Sequence, residues 1–139
     1  MKTETHIMHE LIPVIAIIVI LVAATGIIKY RKSNISLEKR WKNIQKLLIN
    51  KSTWRDAITQ ADDLLDEILK KRHFKGKTMG ERLVSAQHEL SANEMVWFSH
   101  KLKNKLDSDP KMSLTKGEVK KSLLGIWQAL KDLGAFNHE

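Results

Sequence analysis

The chain has no cysteine, which excludes a disulfide framework, a thiolate zinc site, an iron–sulfur cluster and a cysteine nucleophile. Proline and glycine are scarce, at 2 and 6 of 139 residues. That scarcity argues against a turn-rich all-β fold and against low-complexity disorder. No period-2 strand pattern persists and no internal repeat is visible. A Gly-rich phosphate loop and a G-x-S-x-G elbow are missing, and His73, His88 and His100 show no H-x-x-x-H ligand spacing. Nothing in the sequence asks for a metal or a cofactor. Acidic residues are outnumbered, 16 against 24 Lys and Arg, giving a formal charge of +8. Aromatics make up only 6% of the chain, but 4 of them are Trp, which points to a packed core.

What is present divides sharply. Residues 11–28 read LIPVIAIIVILVAATGII, 18 residues without a charge, 12 of them Leu, Ile or Val. At 1.5 Å per residue the stretch spans about 27 Å, close to the hydrocarbon core of a bilayer. Its aliphatic content favours insertion by roughly 4 to 7 kcal/mol. Pro13 is expected near the start of the helix, where a missing N–H costs least. No basic region precedes the stretch and Val22-Ala23-Ala24 is a poor cleavage site, so a retained single span is expected rather than a cleaved signal. Lys2 stands alone on one flank, while Lys29, Arg31, Lys32, Lys39 and Arg40 follow on the other. The positive-inside rule then puts residues 1–10 outside and everything from Lys29 onward in the cytoplasm. Residues 29–139 hold 23 Lys and Arg against 14 Asp and Glu, a net charge of +9.

The remainder reads as all-α, a bundle of about five helices after the span. A basic juxtamembrane segment with an amphipathic helix covers 29–51, a bundle covers 52–134 and a tail covers 135–139. Ser33-Asn34 is expected to break the chain and Ser36 to cap a helix carrying Leu37, Trp41, Ile44 and Leu48 at 4-3-4 spacing. Trp54, Ile58, Ala61, Leu65 and Ile68 mark a second stripe, capped by Ser52 or Thr53 and running to about His73. Thr78-Met79-Gly80-Glu81, Ser91-Ala92-Asn93-Glu94 and Thr115-Lys116-Gly117-Glu118 each fit the capping box and open three further helices. Asp109-Pro110 ends the second of these, and Gly134 is a natural residue just past the end of the third. That last helix should place Val119, Leu123, Ile126, Leu130 and Leu133 inward.

Two groups of polar residues stand out. On the helix from Ala92 to Asp107, Met95, Phe98, Ser99, Leu102 and Leu106 form the expected core face. A second face holds Val96, Trp97, His100, Lys103, Asn104 and Asp107. Trp97 there either covers a neighbouring helix or forms part of a contact surface for a partner or second subunit. Asp62 and Asp66 are i,i+4 neighbours, as are Asp63 and Glu67, and like charges at that spacing repel unless something offsets them. Asp63 and Glu67 point to solvent. Asp62 and Asp66 lie at the edge of the apolar stripe, within reach of a cation such as Arg82 or Lys103 from a neighbouring helix.

Trp54-Arg55-Asp56-Ala57-Ile58 through Asp66, then Thr78-Met79-Gly80-Glu81-Arg82-Leu83, and Trp97-Phe98-Ser99-His100-Lys101-Leu102-Lys103-Asn104, carry a resemblance. They resemble small membrane-anchored proteins of reduced-genome bacteria whose helical domain is similar to the HEPN superfamily. The resemblance covers about residues 54–134. It implies a helical bundle that pairs with itself and, in many members, a metal-independent ribonuclease with the signature R-N-x-x-x-H. The family's Arg holds a phosphate through its planar fork and its His is the general acid or base. Here Lys103 stands at the Arg position, Asn104 matches, and Ser108 stands where His would be. His100, one turn upstream on the face of Asn104, is the residue that would carry displaced acid–base chemistry.

Three functions follow as expectations. The first is a membrane-tethered interaction module without catalysis, whose partners are the bilayer and a second copy or another protein. The second is a membrane-bound ribonuclease or RNA-binding protein, using the basic excess. The third is an envelope scaffold whose basic helix from Leu37 to Leu48 lies on the bilayer.

Overall fold

Helix α1 occupies Lys2–Lys46 in the computed structural model, which describes residues 2–136. His138, in the expected tail, lies outside the described residues. A 3-10 turn at Lys51–Thr53 leads into α2 (Trp54–Lys71), followed by α3 (Met79–Ala86), α4 (Asn93–Ser108) and α5 (Lys116–Asp132). Among the described residues all regular structure is helical. The chain divides into two units, Met1–Ser36 and Leu37–Glu139.

In the first unit, Leu11–Lys29 is one stretch long and apolar enough to cross a membrane, and none of it is buried. Its Thr25 hydroxyl donates to the Val22 carbonyl at 2.9 Å, so the polar group is satisfied within the helix itself. Pro13 lies inside α1 rather than at its start, because the helix begins at Lys2. The missing N–H therefore costs one bond of the ladder. Ser33 and Asn34 do not break the helix, and Ser36 caps nothing. Neither Gly nor Pro stands there, and the helix penalty of Ser and Asn is only a few tenths of a kcal/mol each.

In the second unit, α2 is the central helix, with Ala57, Ile58, Ala61, Leu64, Leu65 and Leu69 fully buried. The end of α1 packs its stripe of Leu37, Trp41 and Ile44 into the same core. That stripe is thus already covered by protein, and it is not an apolar face free to lie on a bilayer. Helices α4 and α5 cross at Gly125, where an added Cβ would lie 2.7 Å from the backbone carbon and Cβ of Met95. Ser99 and Ser122, both fully buried, hydrogen-bond to each other across this crossing. All five residues expected inward on the last helix are buried, four on α5 and Leu133 just past its end. On α4 the buried residues are Val96, Ser99, Leu102 and Leu106, while Met95 and Phe98 are half-buried. The α4 core face is therefore rotated toward Val96, since the helix is held between α2 and α5.

The helix ends depart from the sequence reading where a distant partner competes. Thr115 closes its capping box with Glu118, and Thr78 accepts from the Glu81 N–H at 3.2 Å. The Glu81 carboxylate takes the Lys77 N–H rather than that of Thr78. Ser91 makes no cap, because its N–H and hydroxyl both donate to Asp132 at the end of α5, at 2.8 Å each. Thr53 donates to the carbonyls of Leu47 and Asn50 instead of capping α2. Helix α5 ends in a Schellman motif, with Gly134 at φ 65° and the Ala135 N–H on the Leu130 carbonyl. Helix α2 ends in the same motif with His73 in the left-handed position, at φ 60°. Ala135 and Phe136, expected in a tail, are buried, and Phe136 packs against Trp127 with ring centroids 4.5 Å apart.

Candidate functional site

Of the residues singled out in the sequence, Asp62, Trp97, His100 and Asn104 come together where α2, α3 and α4 face one another, and Asp66 pairs separately with Arg82. Asp62, on the inner edge of α2, is 2% exposed. Its carboxylate faces His100 Nδ1 of α4 at 3.2 Å. The other ring nitrogen, Nε2, lies 3.4 Å from Asn104 Nδ2. An amide nitrogen only donates and a carboxylate only accepts, so these partners select the tautomer with the proton on Nδ1 and a lone pair on Nε2. Trp97 stands edge-on to the imidazole at 6.1 Å. A Cβ at Gly80 of α3 would lie 3.8 Å from both His100 Nε2 and the Trp97 ring. Trp97 is therefore half-buried against α3, and it covers a neighbouring helix. A buried carboxylate orienting an imidazole is the arrangement that general acid–base chemistry uses.

The neighbouring cations are committed elsewhere. Arg82 directs Nε and Nη2 to Asp66, both at 2.7 Å, and Nη1 to the Gly76 carbonyl at 2.8 Å. That fork holds α3 and the preceding loop to α2 and leaves little for a phosphate. Burial opposes ionisation of Asp66, yet hydrogen bonds from Lys70 and Arg82 outweigh it and hold the carboxyl below its ordinary range. Lys103 does not reach Asp62 or Asp66; it pairs with Asp107 at 2.7 Å. That bond, against some burial and with the fields of Asp62 and Asp63, raises its pKa. Lys103 is thus held by Asp107 within the field of Asp62 and Asp63, which opposes the approach of a phosphate. Ser108 donates to the Lys105 carbonyl at 3.0 Å. Glu67 faces Arg40 of α1 at 2.6 Å as well as Lys71, rather than pointing freely to solvent. Asp63 is exposed.

Two features were missed in the sequence. Arg55 caps the end of α4 and its loop, donating to the carbonyls of Leu106, Asp109, Pro110 and Met112. It joins residues more than 50 positions apart in sequence, which no local pattern announces. The other is an apolar groove of about 510 Å3 in the second unit. Trp41 and Gln45 of α1, Leu48, Trp54 of α2, and Val119, Leu123, Leu124 and Trp127 of α5 form its walls, with Lys116 and Lys120 also lining it. Three of the four Trp residues are there. The Trp54 indole N–H is taken by the Leu48 carbonyl at 3.0 Å, which leaves its ring as a purely apolar surface. The count of Trp was the one available signal.

Among the described residues no group of three His, Asp or Glu is placed to hold a metal. No family model matches this chain, and neither a curated protein nor a solved structure matches it significantly.

Proposed function

We propose that the chain is a membrane-tethered helical interaction module, HEPN-like and without catalysis. Its N-terminus lies outside and the 37–139 unit in the cytoplasm of a bacterial cell. The observation that carries the tether is the 19-residue apolar stretch Leu11–Lys29, fully unburied in a chain whose other unit closes its own core. Basic residues at 29, 31 and 32 give it direction. The groove supports the binding role, because an apolar concavity with a few polar groups is the usual form of a binding site. Self-association follows from the HEPN resemblance, with Trp97, Asn104 and the exposed end of α4 near the pairing face. The absence of catalysis rests on Lys103 and Ser108, one held by Asp107 and the other turned onto its own helix. A reporter active only outside the cytoplasm, fused after Glu139, tests this placement. It should stay inactive while the protein remains in alkali-washed membranes. Activity, or release by alkali, contradicts the reading.

A second reading, a membrane-bound ribonuclease, is favoured by one observation, the carboxylate-oriented imidazole of His100. Incubating the full chain in lipid nanodiscs with labelled RNA and chelator decides between them. The interaction module leaves the RNA intact. Cleavage abolished by His100→Ala would make His100 the displaced acid–base residue. RNA binding without cleavage would be electrostatic and would weaken steeply with salt.

A further inference from the structure

We infer that the groove between the end of α1, the start of α2 and α5 binds a single-chain anionic amphiphile, a long-chain carboxylate, with its alkyl chain against Trp41, Trp54 and Trp127 and its head at Lys116 and Lys120. The inference rests on the interaction-module reading and specifies what that module binds. Size is the first argument. A cavity of about 510 Å3 lies within the range of small-molecule sites. Composition is the second. Seven of the ten residues lining it are aliphatic or aromatic, two are lysines, and none is acidic. An alkyl chain satisfies such walls without leaving a polar group unpaired.

Charge is the third argument. Lys116 and Lys120 stand one turn apart on α5, both exposed. Two cations at that spacing repel, so an anion between them relieves a cost the free protein carries. Glu118, between them in sequence, does not neutralise them. Its carboxylate is bound to the N–H and hydroxyl of Thr115, at 2.9 and 2.8 Å. These bonds hold it below its ordinary pKa range. The fourth argument is supply. Eleven residues lie between Lys29 and Trp41, at most about 40 Å of chain. A span at 11–29 tethers the groove to a membrane, whose lipids are a source of long-chain amphiphiles.

The test uses the full chain in phosphatidylcholine nanodiscs. Two photoreactive probes are compared, palmitate with a chain-terminal diazirine and the alcohol of the same chain, with cross-links mapped to peptides. The carboxylate should label peptides 41–54 and 116–127 about fivefold more than the alcohol does. Lys116→Gln with Lys120→Gln, both at exposed positions, should erase that preference. Leu124→Glu, at another exposed groove position, should cut labelling by both probes. Equal labelling by the two probes, or none in the groove, overturns the inference. If the groove stays unlabelled and paired chains separate on Leu124→Glu, it is an interface between copies, which also overturns it. A photoreactive phosphatidylcholine in the same discs reports on 11–29 independently, so a failed ligand site is distinguishable from a failed membrane span.

Discussion

Ile20 and Ile58 are the same side chain in the same kind of helix, one 66% exposed and the other fully buried. The contrast runs through the two units. In residues 11–29 the aliphatic side chains all face outward and the Thr25 hydroxyl bonds its own helix. In the 37–139 unit most of the aliphatic side chains meet in one core, and Ser99 bonds Ser122 on a different helix. In residues 11–28 the one polar side chain, Thr25, is satisfied locally, the arrangement that a segment in lipid requires. The second unit adds bonds across elements, such as Ser99 to Ser122, Ser91 to Asp132 and Arg55 to the end of α4, so its stability resides in tertiary contacts that water drives together.

A large substitution in each unit breaks this comparison most directly. Leu65→Ala in the fully buried centre of α2 should cost about 2–5 kcal/mol, read by denaturant melts in nanodiscs, without altering membrane retention. Ile18→Asp should do the opposite, weakening insertion by about 3 kcal/mol in a membrane-partition assay and leaving the melt unchanged. A lowered melt for Ile18→Asp would mean that the units are not independent.

The same change at two glycines sharpens it further. Gly125→Ala drives a Cβ to 2.7 Å from the Met95 backbone and should destabilise by about 1–3 kcal/mol. Gly26→Ala meets nothing within 4 Å and should leave both the melt and membrane retention intact. Equal effects at the two positions would show that the α4–α5 crossing relaxes freely.

The apolar N-terminal helix and the all-helical character were legible because composition and 3.6-residue periodicity report on burial directly. The stripes of α2 and α5 and the Thr115 box were legible for the same local reasons. The rotated face of α4, the lost Ser91 cap and the fourfold capping by Arg55 were not. Each depends on a residue distant in the chain winning a partner that the local pattern assigns elsewhere. Of the candidate site, the edge position of Asp62 and Asp66 and the facing residue Arg82 were readable from helical spacing. The pairing of Asp62 with His100, rather than Lys103, required the packing of α2 on α4. The groove was invisible because its walls come from three separate helices.

Acid separates the units on a smaller scale. Burial opposes ionisation of Asp66 and Asp132, but their hydrogen-bond partners outweigh it, and Lys71 and Arg40 lower Glu67. A folded pKa below the unfolded one means that the unfolded chain takes up protons first. The stabilisation is complete above the unfolded values and falls from about pH 5 downward, through the lowered folded values. Melts of the 37–139 unit within the full chain should show this loss, and Asp66→Asn should flatten it. Residues 11–28 carry no charge, so the insertion of that stretch should not depend on their titration over the same window. A melt insensitive to acid would remove Asp66 from the account.

The smallest effect compares two helix ends with one geometry. His73→Gly relieves a left-handed non-glycine residue and should stabilise by about 0.5–1 kcal/mol, while Gly134→Ala should cost a similar amount. Melting of both variants checks the pair.

The absence of cysteine makes the central claim testable with single introduced thiols. Val19→Cys lies within the apolar stretch, and Ile49→Cys lies in the second unit at a position 80% exposed. A water-soluble maleimide applied to opened membranes should label Ile49→Cys rapidly and leave Val19→Cys unmodified until the protein is unfolded in detergent. Labelling of Val19→Cys as fast as Ile49→Cys would contradict a span at 11–29 and, with it, the membrane tether.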